Sequence, residues 1–107
     1  MAAERIPIAE LKKKLDSKKK PVVVDVRETR EIKESGAIPG AIHIPINQLE
    51  KRMGDLPKDA EIVTYCGGGG RASRAAESLV QAGYKTVHFC GLRDWKKEGL
   101  PTTPATK

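Results

Sequence analysis

The chain has 107 residues, 38% hydrophobic and 32% charged, with a formal net charge of +6 at pH 7. This length is close to the commonest domain size and too short for a (β/α)₈ barrel or a two-half dinucleotide-binding fold, so we expect one domain over residues 1–107. The composition is typical of a globular protein and excludes a disordered chain, while apolar runs as short as Val22–Val24 exclude a membrane span.

Short β-like runs alternate with helical runs along the whole chain. The helical pattern favours segments at about residues 8–17, 28–34, 47–53, 71–82 and 92–98. The strand pattern favours residues 22–26, 41–44, 61–65 and 86–89. Asn47 is a plausible N-cap for the third helix, and Gly83 suits the position just after the fourth. This alternation predicts an α/β sandwich around a mostly parallel sheet, with its core at about residues 5–101 and a short polar C-terminal tail.

A glycine-rich loop joins the strongest strand to the strongest helix. It comprises Gly67, Gly68, Gly69 and Gly70 and lies between Cys66 and Arg71. In open α/β sheets, ligands bind beyond the carboxyl ends of the strands. A glycine run can curl so that its N–H groups point inward, and such a nest binds an anion, helped by the helix N-terminus behind it. The loop is therefore predicted to be an anion cradle.

Cys66 lies at the rim of this predicted cradle. Helix N-termini and neighbouring cations favour the thiolate form of cysteine, which is the nucleophilic form. Cys66 is accordingly a candidate nucleophile beside an anion site. The alternative is a flexible glycine turn that follows a buried cysteine. Two nucleotide motifs fit poorly, because residues 85–93 hold no acidic residue and no lysine follows Gly70.

The remaining candidate residues favour structural roles. Cys66 and Cys90 are too few for a disulfide scaffold, and with His43 and His88 they form no closely spaced zinc-ligand pair, so no metal site is predicted. Cys90 ends a strand at the same sheet edge as Cys66, which makes a resolving thiol one interpretation, but a buried thiol is the better one. Trp95 is expected to pack on the core.

The positive charge of the chain is concentrated at its ends. Residues 1–20 hold seven Lys/Arg and three Asp/Glu, and residues 91–107 hold four and two, whereas residues 21–90 are neutral. We interpret the lysines as a solvated helix face, and the four aromatic residues leave little for base stacking, so no nucleic acid partner is expected. The lysines could instead dock an acidic protein. No apolar stretch of signal-peptide length opens the sequence, which predicts a cytoplasmic location without a membrane partner.

Taken together, the motifs resemble a single-domain rhodanese-like sulfurtransferase. The resemblance covers about residues 5–101 and is carried by the order and spacing of its segments. These are Val24–Glu28, Gly36–Pro45, Ile62–Cys66 with the glycine loop and Arg71, Ala75–Leu79, Gly83–Tyr84, Val87, and Gly91 through Trp95 to Pro101. It implies a three-layer α/β sandwich with a mostly parallel five-stranded sheet and helices on both faces.

The resemblance also implies a mechanism. Cys66 would take the outer sulfur of thiosulfate or a polysulfide, hold it as a persulfide within the loop, and pass it to cyanide or a thiol, including a protein thiol, without metal or organic cofactor. Arg71 matches the arginine that closes the family's loop, where it either binds an anionic donor or holds the loop in shape. The expected protein is a monomer or a homodimer. Asp25 and Arg27 match the family too, and we expect them to form a structural pair.

The length of the loop separates activities within the family. Four residues lie between Cys66 and Arg71, which resembles the sulfur-handling loop, whereas the related phosphatases and arsenate reductases have five. A non-catalytic binding or regulatory module is the other alternative, although such modules lack the cysteine. Ala72 stands where the family often has serine. With no side chains of its own, the loop is expected to accept several donors and to be flexible until an anion orders it.

Overall fold

The computed structural model describes residues 3–103. Five parallel strands form one sheet in the order β1-β5-β4-β2-β3. The strands are β1 (Glu4–Arg5), β2 (Val22–Asp25), β3 (Ile42–His43), β4 (Glu61–Cys66) and β5 (Thr86–Gly91). The helices are α1 (Ile8–Leu15), α2 (Thr29–Ser35), α3 (Leu49–Arg52), α4 (Gly70–Gln81) and α5 (Leu92–Lys97). Within the described residues, no helix has the length and apolar character needed to cross a membrane.

The central strands are buried on both faces, which explains their near-continuous apolar sequence. In β4, Ile62 and Cys66 face the layer that contains α3 and α4, whereas Val63 and Tyr65 face the layer of α1 and α5. Helices therefore cover both faces of the sheet, and the predicted three-layer α/β sandwich is confirmed. Trp95 belongs to the second layer and is 2% exposed, as predicted for a core residue.

Two details of the prediction need correction. Asn47 is not a helix N-cap, because it lies inside a 3₁₀ turn (Ile46–Gln48) that starts directly after Pro45, and α3 begins only at Leu49 with no side-chain cap. The other detail is β1, which no local pattern predicted. It is two residues long and exists because it pairs with β5, Glu4 opposite His88 and Arg5 opposite Phe89. It brings Arg5 to the carboxyl edge of the sheet.

Asp25 and Arg27 form the buried structural pair expected from the sequence. Their side chains are joined at 2.7 Å, and both residues are 1% exposed. Arg27 also donates to Ser35 Oγ at 2.8 Å and to the Gly36 carbonyl at 2.6 Å, and both acceptors lie at the end of α2. A buried charge is tolerated only when its hydrogen-bonding groups are satisfied, as they are here. The pair thereby fixes α2 against the end of β2.

Candidate active site

The glycine loop lies where β4 ends and α4 begins, at the carboxyl edge of the sheet. Thr64, buried in β4, donates its hydroxyl to the Ala72 carbonyl at 2.8 Å and so ties the first turn of α4 to the strand. Cys66 is the last residue of β4 and is 2% exposed. The strand and helix thus fix both ends of the loop around the Cys66 side chain.

Two backbone N–H groups are directed at the sulfur of Cys66. The Gly69 N–H donates to Sγ at 3.0 Å, and the Ala72 N–H donates at 3.4 Å. Gly69 directly precedes the twelve-residue helix α4 and Ala72 lies in its first turn, and the N-terminus of such a helix carries partial positive charge. Donors fixed in this way stabilise negative charge on a sulfur atom at no further cost in reorganisation. Ala72 was not among the predicted loop residues, because it lies within α4, beyond the glycine run and Arg71.

The loop glycines differ in what their surroundings require. Gly69 has a φ of +116°, and a Cβ there would lie 2.5 Å from Arg5 Nη2. At Gly68, a Cβ would lie 3.5 Å from Arg93 Nη1, whereas at Gly70 it would meet nothing within 4 Å. Gly91 of β5 also packs closely against the loop, because a Cβ on it would come within 2.9 Å of the Gly67 carbonyl oxygen. The positive φ therefore favours glycine at 69, and close packing against backbone requires it at 91, whereas neither condition applies at 70.

Arg71 forms an ion pair with an acidic side chain of α2. Its guanidinium forms two parallel hydrogen bonds to Glu31 of α2, at 2.7 and 2.8 Å. The hydrogen bond from Arg71 lowers the pKa of Glu31 to about 2, and the same bond raises the pKa of Arg71. Arg71 thus links the loop to α2. Glu31 was missed in the sequence because forty residues separate the partners.

Arg5 and Arg93 approach the loop from other elements. Arg5 donates to the Gly68 carbonyl at 3.3 Å, and its guanidinium lies 5.1 Å from the centre of the Phe89 ring. The Arg93 backbone N–H donates to the Gly67 carbonyl at 3.0 Å. Side chains that the loop lacks are therefore supplied by β1 and α5. Nothing in the local sequence around either arginine indicated this contact.

The second cysteine lies on the opposite face of the sheet. Cys90 is paired with Tyr65 in the β4–β5 register, and both side chains point into the layer of α1 and α5, whereas Cys66 points toward α4. Cys90 is fully buried, and burial raises the pKa of its thiol to about 12. Both cysteines are free. The structure therefore places Cys90 as a buried thiol and keeps its side chain apart from Cys66.

The two histidines do not contact the candidate nucleophile. His43 Nε2 lies 2.7 Å from the Arg27 carbonyl oxygen, and His88 Nε2 lies 4.0 Å from the Glu61 carboxylate. Among residues 3–103, the hydrogen bonds to Cys66 Sγ come only from backbone N–H groups. Stabilisation of charge at Cys66 thus comes from the loop and α4 and does not involve a neighbouring imidazole.

A polar cavity of about 330 Å³ borders the loop at Gly67. Its other walls come from α2, from the residue Arg27 that precedes this helix, and from α5. The lining residues are Arg27, Glu31, Glu34, Ser35, Gly67, Leu92, Arg93 and Lys96. Space for a small charged molecule therefore exists directly beside the residue that follows Cys66.

Comparison with known proteins gives a consistent family. The model of the family described as "Rhodanese-like domain" matches residues 8–98. A sulfurtransferase of Allochromatium vinosum is 38% identical over 82 residues, which cover 75% of this chain and 76% of that protein. A Bacillus subtilis protein named "Putative sulfur carrier protein YrkF" is 38% identical over 92 residues. That match covers 84% of this chain, and the chain spans only 49% of the length of that relative.

Solved structures agree with the sequence matches. A rhodanese-related protein from Thermoplasma volcanium superposes with a TM-score of 0.81 at 32% identity. The alignment covers 92% of this chain and 95% of the other. The similarity therefore extends over nearly the whole sheet and both helical layers.

Proposed function

This chain belongs to the rhodanese-like domain family, and from that premise we propose that it is a sulfurtransferase that moves a sulfane sulfur from thiosulfate or a polysulfide through a persulfide on Cys66. The observation that carries the proposal is the pair of N–H donors, from Gly69 and Ala72, directed at Cys66 Sγ. A relative with the name sulfurtransferase supports the same class of reaction. The four-residue loop that separates Cys66 from Arg71 favours sulfur over the larger phosphate or arsenate.

In the first half-reaction, the Cys66 thiolate attacks the outer sulfur of the donor. A bond forms between Sγ and that sulfur, while the sulfur–sulfur bond of the donor breaks and its electron pair leaves on sulfite or on a shortened polysulfide. The negative charge that remains lies on the new outer sulfur of the persulfide. Backbone donors at the start of α4 stabilise this charge, as they would an oxyanion.

In the second half-reaction, an acceptor attacks the outer sulfur of the persulfide. With cyanide, a carbon–sulfur bond forms, thiocyanate leaves, and the electron pair of the broken bond returns to Cys66 as thiolate. With a thiolate acceptor, the product is the persulfide of the acceptor. A thiol on a protein or on a small molecule fits this step equally well.

The mass of the intact protein tests the proposal. The reduced protein is incubated with thiosulfate, and in parallel with polysulfide, and is then weighed before and after cyanide treatment. We expect the parent to gain one sulfur that cyanide removes, Cys66→Ser to gain none, and Cys90→Ser to behave like the parent. Failure of the parent to gain sulfur from either donor would instead favour an inactive docking module on the same scaffold.

A further inference from the structure

One wall of the cavity beside the loop is positively charged. Arg93 and Lys96 lie one helical turn apart on α5, and both line this cavity with Gly67. Both side chains are exposed, and no ion pair involves either of them within residues 3–103. Their charge is therefore available to a bound anion.

Several of the other charged side chains around the loop are already paired. Glu31 on the opposite wall is paired with Arg71 through two hydrogen bonds. Arg5 is shared between the Gly68 carbonyl at 3.3 Å and the Asp94 carboxylate at 3.4 Å. The carboxylate of Glu34 lies on the α2 side of the cavity. An anion that enters is thus drawn to the α5 side.

Because the loop residues are glycines, the Arg93 side chain of α5 can approach the loop closely. Gly68 leaves the Arg93 guanidinium 3.5 Å from where a Cβ would stand, and the Arg93 backbone is tied to the Gly67 carbonyl at 3.0 Å. The planar guanidinium presents several donors in a fixed fork that matches oxyanions, whereas the Lys96 ammonium adds a point charge. The glycines of the loop carry no positive side chain, but α5 places Arg93 beside Gly67, the residue that follows Cys66.

We propose that Arg93 and Lys96 form a subsite for the anionic end of the sulfur donor and select doubly charged donors such as thiosulfate, an inference that rests on the proposed function. The outer sulfur of the donor meets Cys66, and the sulfonate end lies against the two cations. When the sulfur–sulfur bond breaks, the leaving sulfite keeps both negative charges, and the cations stabilise it. Donor preference therefore comes from α5, although the loop carries no side chain to provide it.

Two donors with the same outer sulfur but different charge test this subsite. Thiosulfate carries two negative charges and methanethiosulfonate carries one, and both load Cys66 by the same step, with sulfite or methanesulfinate as the leaving group. The rate of thiocyanate formation is measured with each donor for the parent, Arg93→Gln, Lys96→Gln and Arg93→Lys. Lys97→Gln is the matched control, since Lys97 lies on the same helix but does not line the cavity.

We expect Arg93→Gln to lower kcat/KM for thiosulfate roughly tenfold, mostly through KM, because one hydrogen bond between charged groups is lost. The loss with methanethiosulfonate should be markedly smaller, Lys96→Gln should act in the same direction, and Arg93→Lys should restore part of the preference. Lys97→Gln should leave both donors unaffected. Added salt should narrow the difference between donors, because the cations are exposed.

Two results would overturn the subsite while leaving the sulfurtransferase intact. One is an unchanged kcat/KM for both donors in both Arg93→Gln and Lys96→Gln. The other is an equal loss with both donors, which would mean that Arg93 only holds the loop. A parent that accepts sulfur from neither donor would instead refute the proposed function itself.

Discussion

Cys66 is the last residue of β4 and Cys90 the last but one of the neighbouring parallel strand β5, and each is almost completely hidden from solvent. Because their positions in the register differ by one residue, their side chains point to opposite faces of the sheet. Cys66 meets the start of a twelve-residue helix, and Cys90 meets apolar side chains. The comparison shows that burial alone does not define the role of a cysteine, since what differs is the presence of directed N–H donors.

The two environments differ in the hydrogen-bond donors that they offer to the sulfur atom. Removal from water disfavours the charged form of a thiol, and this raises the pKa of Cys90 to about 12. At Cys66 two backbone donors replace the water that burial removes. One face of the sheet therefore offers backbone donors to the sulfur of Cys66, while the other face stabilises a neutral thiol at Cys90.

The largest expected difference between the two cysteines is their reactivity toward iodoacetamide in the folded protein at pH 7. The raised pKa leaves Cys90 with roughly a thousandfold less thiolate than a cysteine at its ordinary value. We expect alkylation to stop at one adduct, on Cys66, and to reach Cys90 only after denaturation. Peptide mapping locates the adducts, and comparable modification of both cysteines in the folded protein would break the distinction.

Displacement of one of the two backbone donors should make Cys66 less reactive, and so more like Cys90. In Gly69→Ala, the positive φ of +116° opposes the new Cβ, and the end of the Arg5 side chain must move away from it. We expect a stability loss of about 1–3 kcal/mol. Displacement of the Gly69 N–H should slow persulfide formation roughly a hundredfold, by analogy with the loss of an oxyanion-hole donor. Rates come from time-resolved intact mass, and stabilities from urea denaturation.

Gly70→Ala is the matched control for this substitution. Gly70 begins α4, has no positive φ, and leaves open space where a Cβ would stand. Alanine there should preserve sulfur loading and stabilise the fold by roughly 0.5 kcal/mol. Equal damage from both substitutions would show that the flexibility of the glycine run matters, and not the donor at 69.

A smaller effect is expected from Glu31→Gln, which removes the charged partner of Arg71. The substitution thereby weakens the link between the loop and α2. We expect a stability loss of roughly 1 kcal/mol for this partly exposed pair and a sulfur-loading rate reduced a few-fold. Because the folded pKa of Glu31 is about 2, below its ordinary value of 4.5, its contribution is complete above pH 4.5 and is lost as the pH falls toward 2. The stability difference between parent and variant should shrink over that range.

Glu34→Gln separates the ion pair from general charge effects. Glu34 lies on the same helix and lines the same cavity, but it takes part in no ion pair within the described residues. The Glu34→Gln variant should show neither the stability loss expected for Glu31→Gln nor the pH dependence of that loss. Urea denaturation between pH 7 and pH 3 measures both. A difference for Glu31→Gln that stays constant down to pH 3 would contradict the role assigned to the pair.

Much of the fold could be predicted because its signals are local. The β-branched run at Val22–Val24 and the alanine face of α4 are continuous in sequence, and the glycine loop marks the junction next to Cys66. The candidate nucleophile was therefore identified from the sequence, together with the predicted sandwich. These features depend only on residues within about a dozen positions of one another.

The parts that could not be predicted depend on contacts between distant residues. Strand β1 has two residues and no periodicity, and its pairing with β5 alone makes it a strand. Glu31 meets Arg71 only because the buried Arg27 fixes α2 beside the loop. The loop itself, expected to lack any side chain that could hold a donor, has Arg93 beside it through the packing of α5. Local spacing contains no information about such contacts.

The smallest expected effect concerns Cys90 itself. Cys90→Ala leaves a small gap in an apolar cluster and should cost about 1 kcal/mol, whereas thiocyanate formation per folded molecule should not change. Cys90→Ser should be less stable than Cys90→Ala, since it buries a hydroxyl among apolar groups, but equally active. A disulfide requires side-chain bonds that point toward each other, and those of Cys66 and Cys90 point to opposite faces. A large loss of turnover in either correctly folded variant would therefore mean that the two strands rearrange during the reaction and that Cys90 resolves the persulfide.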